Sequence, residues 1–172
     1  VGRHLGERRR EGEAGHHDGV VAVLGEAAER LLTLLARRGI RSTWFIPGLT
    51  IEAYPDTCRA IHEAGHEIGH HGYLHEDPTE HSSAEQTYWF ERALEAHRQA
   101  AGRAPRGYRA PIYNITQAVI DLLIENSFHY DSSLMADDIP YIMKTSAGEL
   151  YEVPVHWGTD DWPPFAHYAE ID

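Results

Sequence analysis

Cysteine is almost absent from this chain: Cys58 is the only one in 172 residues, which excludes an internal disulfide and any cluster of metal-binding thiolates. Long apolar runs are missing as well. Nothing approaches the roughly 20 residues that span a bilayer, and the opening Val1-Gly2-Arg3-His4 has no apolar stretch of signal-peptide length. A cytoplasmic location with no membrane partner is therefore expected. Basic charge is scarce. Fifteen Lys and Arg stand against 27 Asp and Glu, a formal net charge of -12, and no sustained basic stripe follows the Arg8-Arg9-Arg10 run. Nucleic acid is not an expected partner. A chain of this length fits one domain that buries about 70% of its unfolded surface.

Histidine, by contrast, is plentiful, with 13 in the chain. Five of them, His62, His66, His97, His129 and His167, are isolated and read as surface or satisfied core residues. The stretch Gly69-His70-His71-Gly72-Tyr73-Leu74-His75-Glu76-Asp77-Pro78 is different, because it sets His71 and His75 four residues apart in a glycine-punctuated loop. An extended strand would hold them roughly 13 Å apart, too far for one ion that binds imidazole at about 2.0 to 2.1 Å. Binding one metal therefore requires the chain to coil after Gly69, which Gly72 permits. A one-residue shift would use His70 in place of His71, but His71 is preferred because it reaches His75 across one turn. With no thiolates available, any zinc site must be built from His and carboxylate ligands.

Along the chain, residues 1–18 are charged, rich in glycine and without periodicity, and are expected to be disordered; residues 19–172 carry the fold. From Gly25, the residues Ala27, Ala28, Leu31, Leu32, Leu34 and Leu35 predict one apolar helix face, stopped by Gly39. Ser42 to Ile46 reads as a buried strand closed by Pro47-Gly48. A helix from Pro55 to about Ala64 ends at Gly65, and a strand from His66 to His70 delivers the chain to the histidine loop. Ser82 with Glu85 forms a capping box that opens a long helix to Gly102. A strand near Tyr108 precedes Arg109-Ala110-Pro111. A helix from Thr116 to Glu125 and strands at 128–131 and 150–155 complete the pattern. Alternation of helix and strand argues for an α/β fold with a parallel sheet or barrel. Ligands then belong at the carboxyl ends of strands, where the histidine loop, Arg109 and Asp131 could gather. Asp131-Ser132-Ser133 itself reads as turn chemistry.

Four stretches in register, GHEIGHHGYLHEDP, GYRAPIYNIT, HYDSSLMADDIPY and VPVHWGTDDW, resemble the polysaccharide deacetylase family. This is the NodB-homology group, carbohydrate esterase family 4, and more closely its cytoplasmic peptidoglycan-deacetylase-like and allantoinase-like branch. The match covers roughly residues 26–165. The resemblance implies a distorted, incomplete (β/α) barrel and metal-dependent hydrolysis of an amide, typically an N-acetyl group on a sugar. On it, His71 and His75 fall on the two histidine ligands of a divalent metal, with zinc the expected ion. Arg109 falls on the arginine that orients the catalytic carboxylate. Pro111 falls on the pocket-shaping proline, and Ile112 stands where many members have Tyr. If the backbone N–H there donates to the oxyanion, that side-chain change matters little. Tyr113 is a further substrate-pocket candidate, and Asp161-Trp162 resembles the Asp-Trp pair that walls the acetyl pocket, which implies Asp161 as a catalytic residue beside Arg109 and Trp162 as a substrate-binding one.

Departures accompany the matches. The family's early strand ending in Asp-x-Asp, which gives the catalytic base and third ligand, has no counterpart: Asp18 is the only aspartate before residue 56, and it precedes an apolar run. The late Leu-x-His motif is absent too. A fragment or mis-started reading of a longer enzyme is the expectation, favoured over loss of the catalytic set by the composition change near residue 18. Alternatives are an allantoinase-like or cyclic-imide hydrolase and a non-catalytic module that binds a carbohydrate or small molecule. A partial barrel also leaves strand edges and helix faces through which homo-oligomers could form.

Overall fold

The computed structural model describes residues 25–161; the segment 1–18, the apolar run at 20–24, Trp162 and His167 lie outside them. Helix α1 covers residues 25–38 and stops at Gly39, whose φ is +64°. Strand β1 (Thr43–Ile46) leads into two short helices, α2 (Gly48–Ala53) and α3 (Pro55–Glu63). Strand β2 (Glu67–His70) enters the histidine loop. Helix α4 (Ser83–Ala101) opens on a complete capping box between Ser82 and Glu85 and closes on Gly102; such a cap contributes about 1 kcal/mol. Strand β3 (Gly107–Tyr108), helix α5 (Gln117–Glu125), and strands β4 (Tyr130–Asp131), β5 (Tyr141–Lys144) and β6 (Glu149–Glu152) follow. The Thr116 hydroxyl caps α5 by accepting from the Val119 N–H.

The six strands form one sheet in the order β1-β2-β3-β4-β6-β5, open among the described residues. Every pairing is parallel except β5 with β6. This is the α/β, barrel-type architecture that alternating helices and strands predict, with two additions. Helix α2 follows Pro47 directly, in a stretch for which the residues predict no element, and β5 joins β6 in an antiparallel hairpin where the residues predict only the second strand.

One row of registered residues fixes the geometry of the whole sheet end: Ile46, His70, Tyr108, Asp131, Glu152 and Tyr141 pair successively across it. Ile46, His70, Tyr108, Asp131 and Glu152 are buried. His70 and Tyr108 pack on Phe90 of α4, so this row faces the helices. Strand side chains alternate in direction, so the next residues, His71, Arg109, Ser132 and Val153, turn to the opposite face at the carboxyl end. Two apolar clusters support the sheet. One joins Phe90, Leu94, Tyr108, Val119, Leu123, Phe128 and Leu150. The other joins Ile46, Ile51, Cys58, Ile61 and Ala96, with Leu32 of α1 packed against it. The apolar face expected on α1 is only partly used: Leu31 and Leu34 are 44% and 51% exposed, because the second cluster receives Leu32 alone of the α1 leucines.

Candidate active site

The histidine loop coils as one metal-binding loop would have to. Gly72 takes φ +69° and His75 takes φ +64°, so two left-handed residues fold the segment back on itself. The Glu76 carboxylate accepts from the N–H groups of Tyr73 (3.0 Å) and Leu74 (2.6 Å), capping the turn from inside. Gly48 and Leu49, at the start of α2, donate to the Gly72 and Tyr73 carbonyls at 3.0 Å each. A fold-back this tight brings the imidazoles of His71 and His75 edge to face, with ring centroids 4.9 Å apart.

His70 and His71 have opposite surroundings. His70 is fully buried, stacked on Phe90 and His97. Its Nδ1 accepts from the Gly72 N–H at 3.3 Å, which leaves Nε2–H to donate to the Phe90 carbonyl at 3.1 Å. Both nitrogens are spent, and burial lowers its pKa to about 3. His71 donates Nδ1–H to the Arg109 carbonyl at 2.7 Å, which fixes the tautomer and leaves Nε2 with a free lone pair. Burial lowers its pKa to about 4, so it is neutral at pH 7. Two imidazoles on one tetrahedral ion, each about 2.0 to 2.1 Å from it, place their centroids about 5 Å apart. The observed pair fits that requirement. Among the described residues no third His, Cys, Asp or Glu gathers with them.

Arg109 sits beside this loop because its N–H continues the β2–β3 ladder, donating to the His70 carbonyl at 3.0 Å. Its guanidinium bonds Ser132 twice, Nε to the carbonyl at 2.9 Å and an Nη to Oγ at 2.8 Å. It lies 4.5 Å from the Phe45 ring centroid and 5.9 Å from that of Tyr113. Among the described residues its bonds and ring contacts hold it without an ion pair to a carboxylate. The loop after it is strained: Ile112 and Tyr113 both have positive φ, 58° and 62°. The turn's own bonds use the Tyr113 and Asn114 N–H groups, to Ala110 and Pro111, and leave the Ile112 N–H outside them. Ile112 is 60% exposed, whereas Pro111 is buried against the histidine loop. Asn114 donates to Asp77 at 2.6 Å, tying the two loops together.

A cleft of about 350 Å³ opens next to Arg109, lined also by Tyr113, Val155, His156, Thr159, Asp160 and Asp161. The structure therefore gathers Arg109, Tyr113 and Asp161 on one cleft, with His71 joined to it through the Arg109 main chain. Sequence reasoning missed Asp160, whose carboxylate accepts from the Tyr113 hydroxyl at 3.1 Å. Burial and that bond raise the Tyr113 pKa. It also missed His156, which caps the turn Trp157–Thr159 by accepting from the Gly158 N–H. The adjacent pair Asp160-Asp161 was the available signal, and only its second member was considered.

Comparison with known proteins places this geometry. The family profile described as polysaccharide deacetylase matches residues 17–130. A peptidoglycan deacetylase of Helicobacter pylori is 31% identical over 159 residues, covering 78% of this chain and 54% of that protein. A solved structure assigned as a polysaccharide deacetylase of Mycobacterium smegmatis is 39% identical, with TM-score 0.77 over 86% of this chain and 51% of the other. The Puue allantoinase is 25% identical, with TM-score 0.75 over 84% of this chain and 49% of its own. The chain thus spans about half the length of these relatives.

Proposed function

The chain belongs to the polysaccharide deacetylase family, and on that footing we propose that it serves a divalent-metal-dependent hydrolysis of an amide, removing N-acetyl groups from a carbohydrate. The observation that carries this reading is the His71–His75 pair, held 4.9 Å apart with the His71 tautomer set by Arg109. His71 and His75 would hold the ion, zinc being the one best suited to imidazole and carboxylate ligands. An ion held by these two residues would supply Lewis acidity toward an acyl oxygen and toward a water molecule near neutral pH.

The remaining roles fall to the chain's own groups. Arg109 presents a fixed positive charge that favours the ionised form of a carboxylate brought beside it. The Ile112 N–H is a donor for the oxygen that gains charge as the amide is attacked. Pro111, Tyr113 and Asp161 shape the substrate pocket, and the Tyr113–Asp160 bond holds the phenol on its wall. Trp162, which the family pattern adds to that wall, lies outside the described residues.

A second reading, hydrolysis of a cyclic ureide, is favoured by the backbone likeness to an allantoinase. The two are separated by offering N-acetylglucosamine oligomers and allantoin to the protein with and without a chelator. Acetate release that stops on chelation and returns with zinc supports the first reading. Allantoin hydrolysis that survives the chelator sinks it.

A further inference from the structure

Behind Arg109, two carboxyls lie inside the protein with no counter-ion among the described residues. Asp131 and Glu152 are registered partners on adjacent parallel strands, and both are 0% exposed. Asp131 accepts from the Ser133 hydroxyl at 2.7 Å and from the Ser133 N–H at 3.3 Å. Glu152 accepts from the Leu134 N–H at 3.0 Å through Oε1, while its buried Oε2 has no other partner. Two ionised carboxylates cannot coexist in such a site, since burial and mutual repulsion both oppose the second charge. A proton on Glu152 Oε2 removes both costs, turning the orphaned atom into a donor to Asp131.

Among the described residues the surroundings supply no alternative cation. Tyr108 on β3 and Tyr141 on β5 flank the pair in the register row, and burial raises both phenols above their ordinary range, so they stay neutral. Helix α5 packs Val119 and Leu123 into the same cluster as Leu150 of β6, and its Asp121 is bonded to Gln117 at the surface. Arg109 is one residue removed, on Ser132.

That one residue gives the pair its consequence. The segment from Asp131 to Leu134 is clamped at one end by Ser133 on Asp131 and at the other by Leu134 on Glu152. Between the clamps, Ser132 receives the Arg109 guanidinium and donates its own hydroxyl to the Val153 carbonyl at 2.8 Å. We infer that Asp131 and Glu152 share one proton and act together as positioning residues, holding Ser132 where it orients Arg109 at the mouth of the cleft. This extends the proposed hydrolase reading only in the use made of Arg109; the proton sharing stands without it.

Losing the shared proton places two like charges in contact and loosens the clamp. Burial, with Asp131 alongside, pushes the Glu152 carboxyl up to about 8, so the loosening falls at mildly alkaline pH. Because the folded state then binds the proton more tightly than the unfolded chain, stability falls as pH rises from about 4.5 to 8. Glu152→Gln keeps an acceptor for Leu134 and a permanent donor for Asp131, without a titration.

The test is isotope-edited infrared spectroscopy of the carboxyls together with an NMR pH titration of the Arg109 Nε–H, on wild type and E152Q. Expected are a protonated carboxyl band at pH 7 that E152Q lacks and an Arg109 Nε–H shift that titrates together with that band in wild type only. Urea unfolding should show stability falling between about pH 4.5 and 8 in wild type and a flatter profile over that window in E152Q. If the protein also releases acetate, a loss of at least tenfold from pH 7 to 9 in wild type should be largely absent in E152Q. Both carboxyls ionised at pH 7, or an Arg109 Nε–H indifferent to the pair, would overturn the inference. Neither spectroscopic readout depends on catalysis, so an inactive protein would count against the hydrolase reading and not against this one.

Discussion

The imidazole of His71 and the main chain of Arg109 are bonded directly, Nδ1–H to carbonyl oxygen at 2.7 Å. One strand end thereby sets the tautomer of a side chain on its neighbour. Nδ1 is committed as a donor, so only Nε2 can meet a metal, and the ring cannot rotate to offer the other nitrogen without losing the bond.

Gly72→Ala should damage this loop. A Cβ there would meet Glu76 Oε1 at 2.9 Å and Pro111 Cγ at 3.1 Å, on a backbone already at φ +69°. The Glu76 carboxylate could yield, but it would then leave the Tyr73 and Leu74 N–H groups it caps. We expect a loss of roughly 1–3 kcal/mol in urea unfolding, together with weakened metal binding.

Arg109→Lys should fail as a replacement although it keeps the charge. An ammonium cannot bond Ser132 with the two-pronged geometry seen here or stack its plane on Phe45. Acetate release should fall at least tenfold with little change in thermal midpoint. Full activity in the lysine variant would show that charge alone suffices.

The opposite outcome is expected at Ile112. A β-branched residue at φ 58° carries about 1–2 kcal/mol of steric cost, and its side chain is 60% exposed. Ile112→Gly should therefore raise stability by up to about 1 kcal/mol after glycine's own entropy cost, measured by thermal unfolding. If the Ile112 N–H serves the substrate through its present geometry, the more mobile loop should also lower kcat.

The buried histidines give a pH prediction of definite sign. Burial lowers His70 to about 3 and His97 to about 4, from an ordinary 6.5. The unfolded chain takes up protons first as pH falls, so their stabilising effect is full above about 6.5 and drains away toward pH 4. Each unit of pH in that window costs roughly 1.4 kcal/mol per histidine. His97→Phe should shrink the difference in urea midpoint between pH 7 and pH 5. Between pH 4.5 and 6.5 the slope due to Glu152 runs the other way and offsets part of it.

Much of this was legible in the residues. Stop signals were reliable where glycine chemistry left no choice: Gly39, Gly65 and Gly102 all take positive φ at the ends of helical runs. The Ser82–Glu85 box placed one helix start correctly, and the helix read from Thr116 begins one residue later because Thr116 caps it. Spacing preferred His71 to His70 as the neighbour of His75, but not for the reason the structure adds, which is that the pleat turns His70 toward Phe90. The strand read at 150–155 corresponds to β6, but its antiparallel partner β5 escaped because Tyr-Ile-Met-Lys is short and half polar, its pairing set by a neighbouring strand rather than by propensity. The burial of Glu152 was not legible either: a glutamate in a short strand reads as solvent-exposed, and only the register with Asp131 shows it to be enclosed. Which of Asp160 and Asp161 touches Tyr113 depended on a turn geometry that the sequence does not specify.

The most direct test of the account is a calorimetric zinc titration of the metal-stripped protein beside His71→Ala and His75→Ala. One ion per chain for wild type, with at least a hundredfold weaker binding in each variant while both stay folded by circular dichroism, is the predicted result. Equal stoichiometry and affinity in all three proteins would contradict it, for then His71 and His75 would be neighbours without a shared ion.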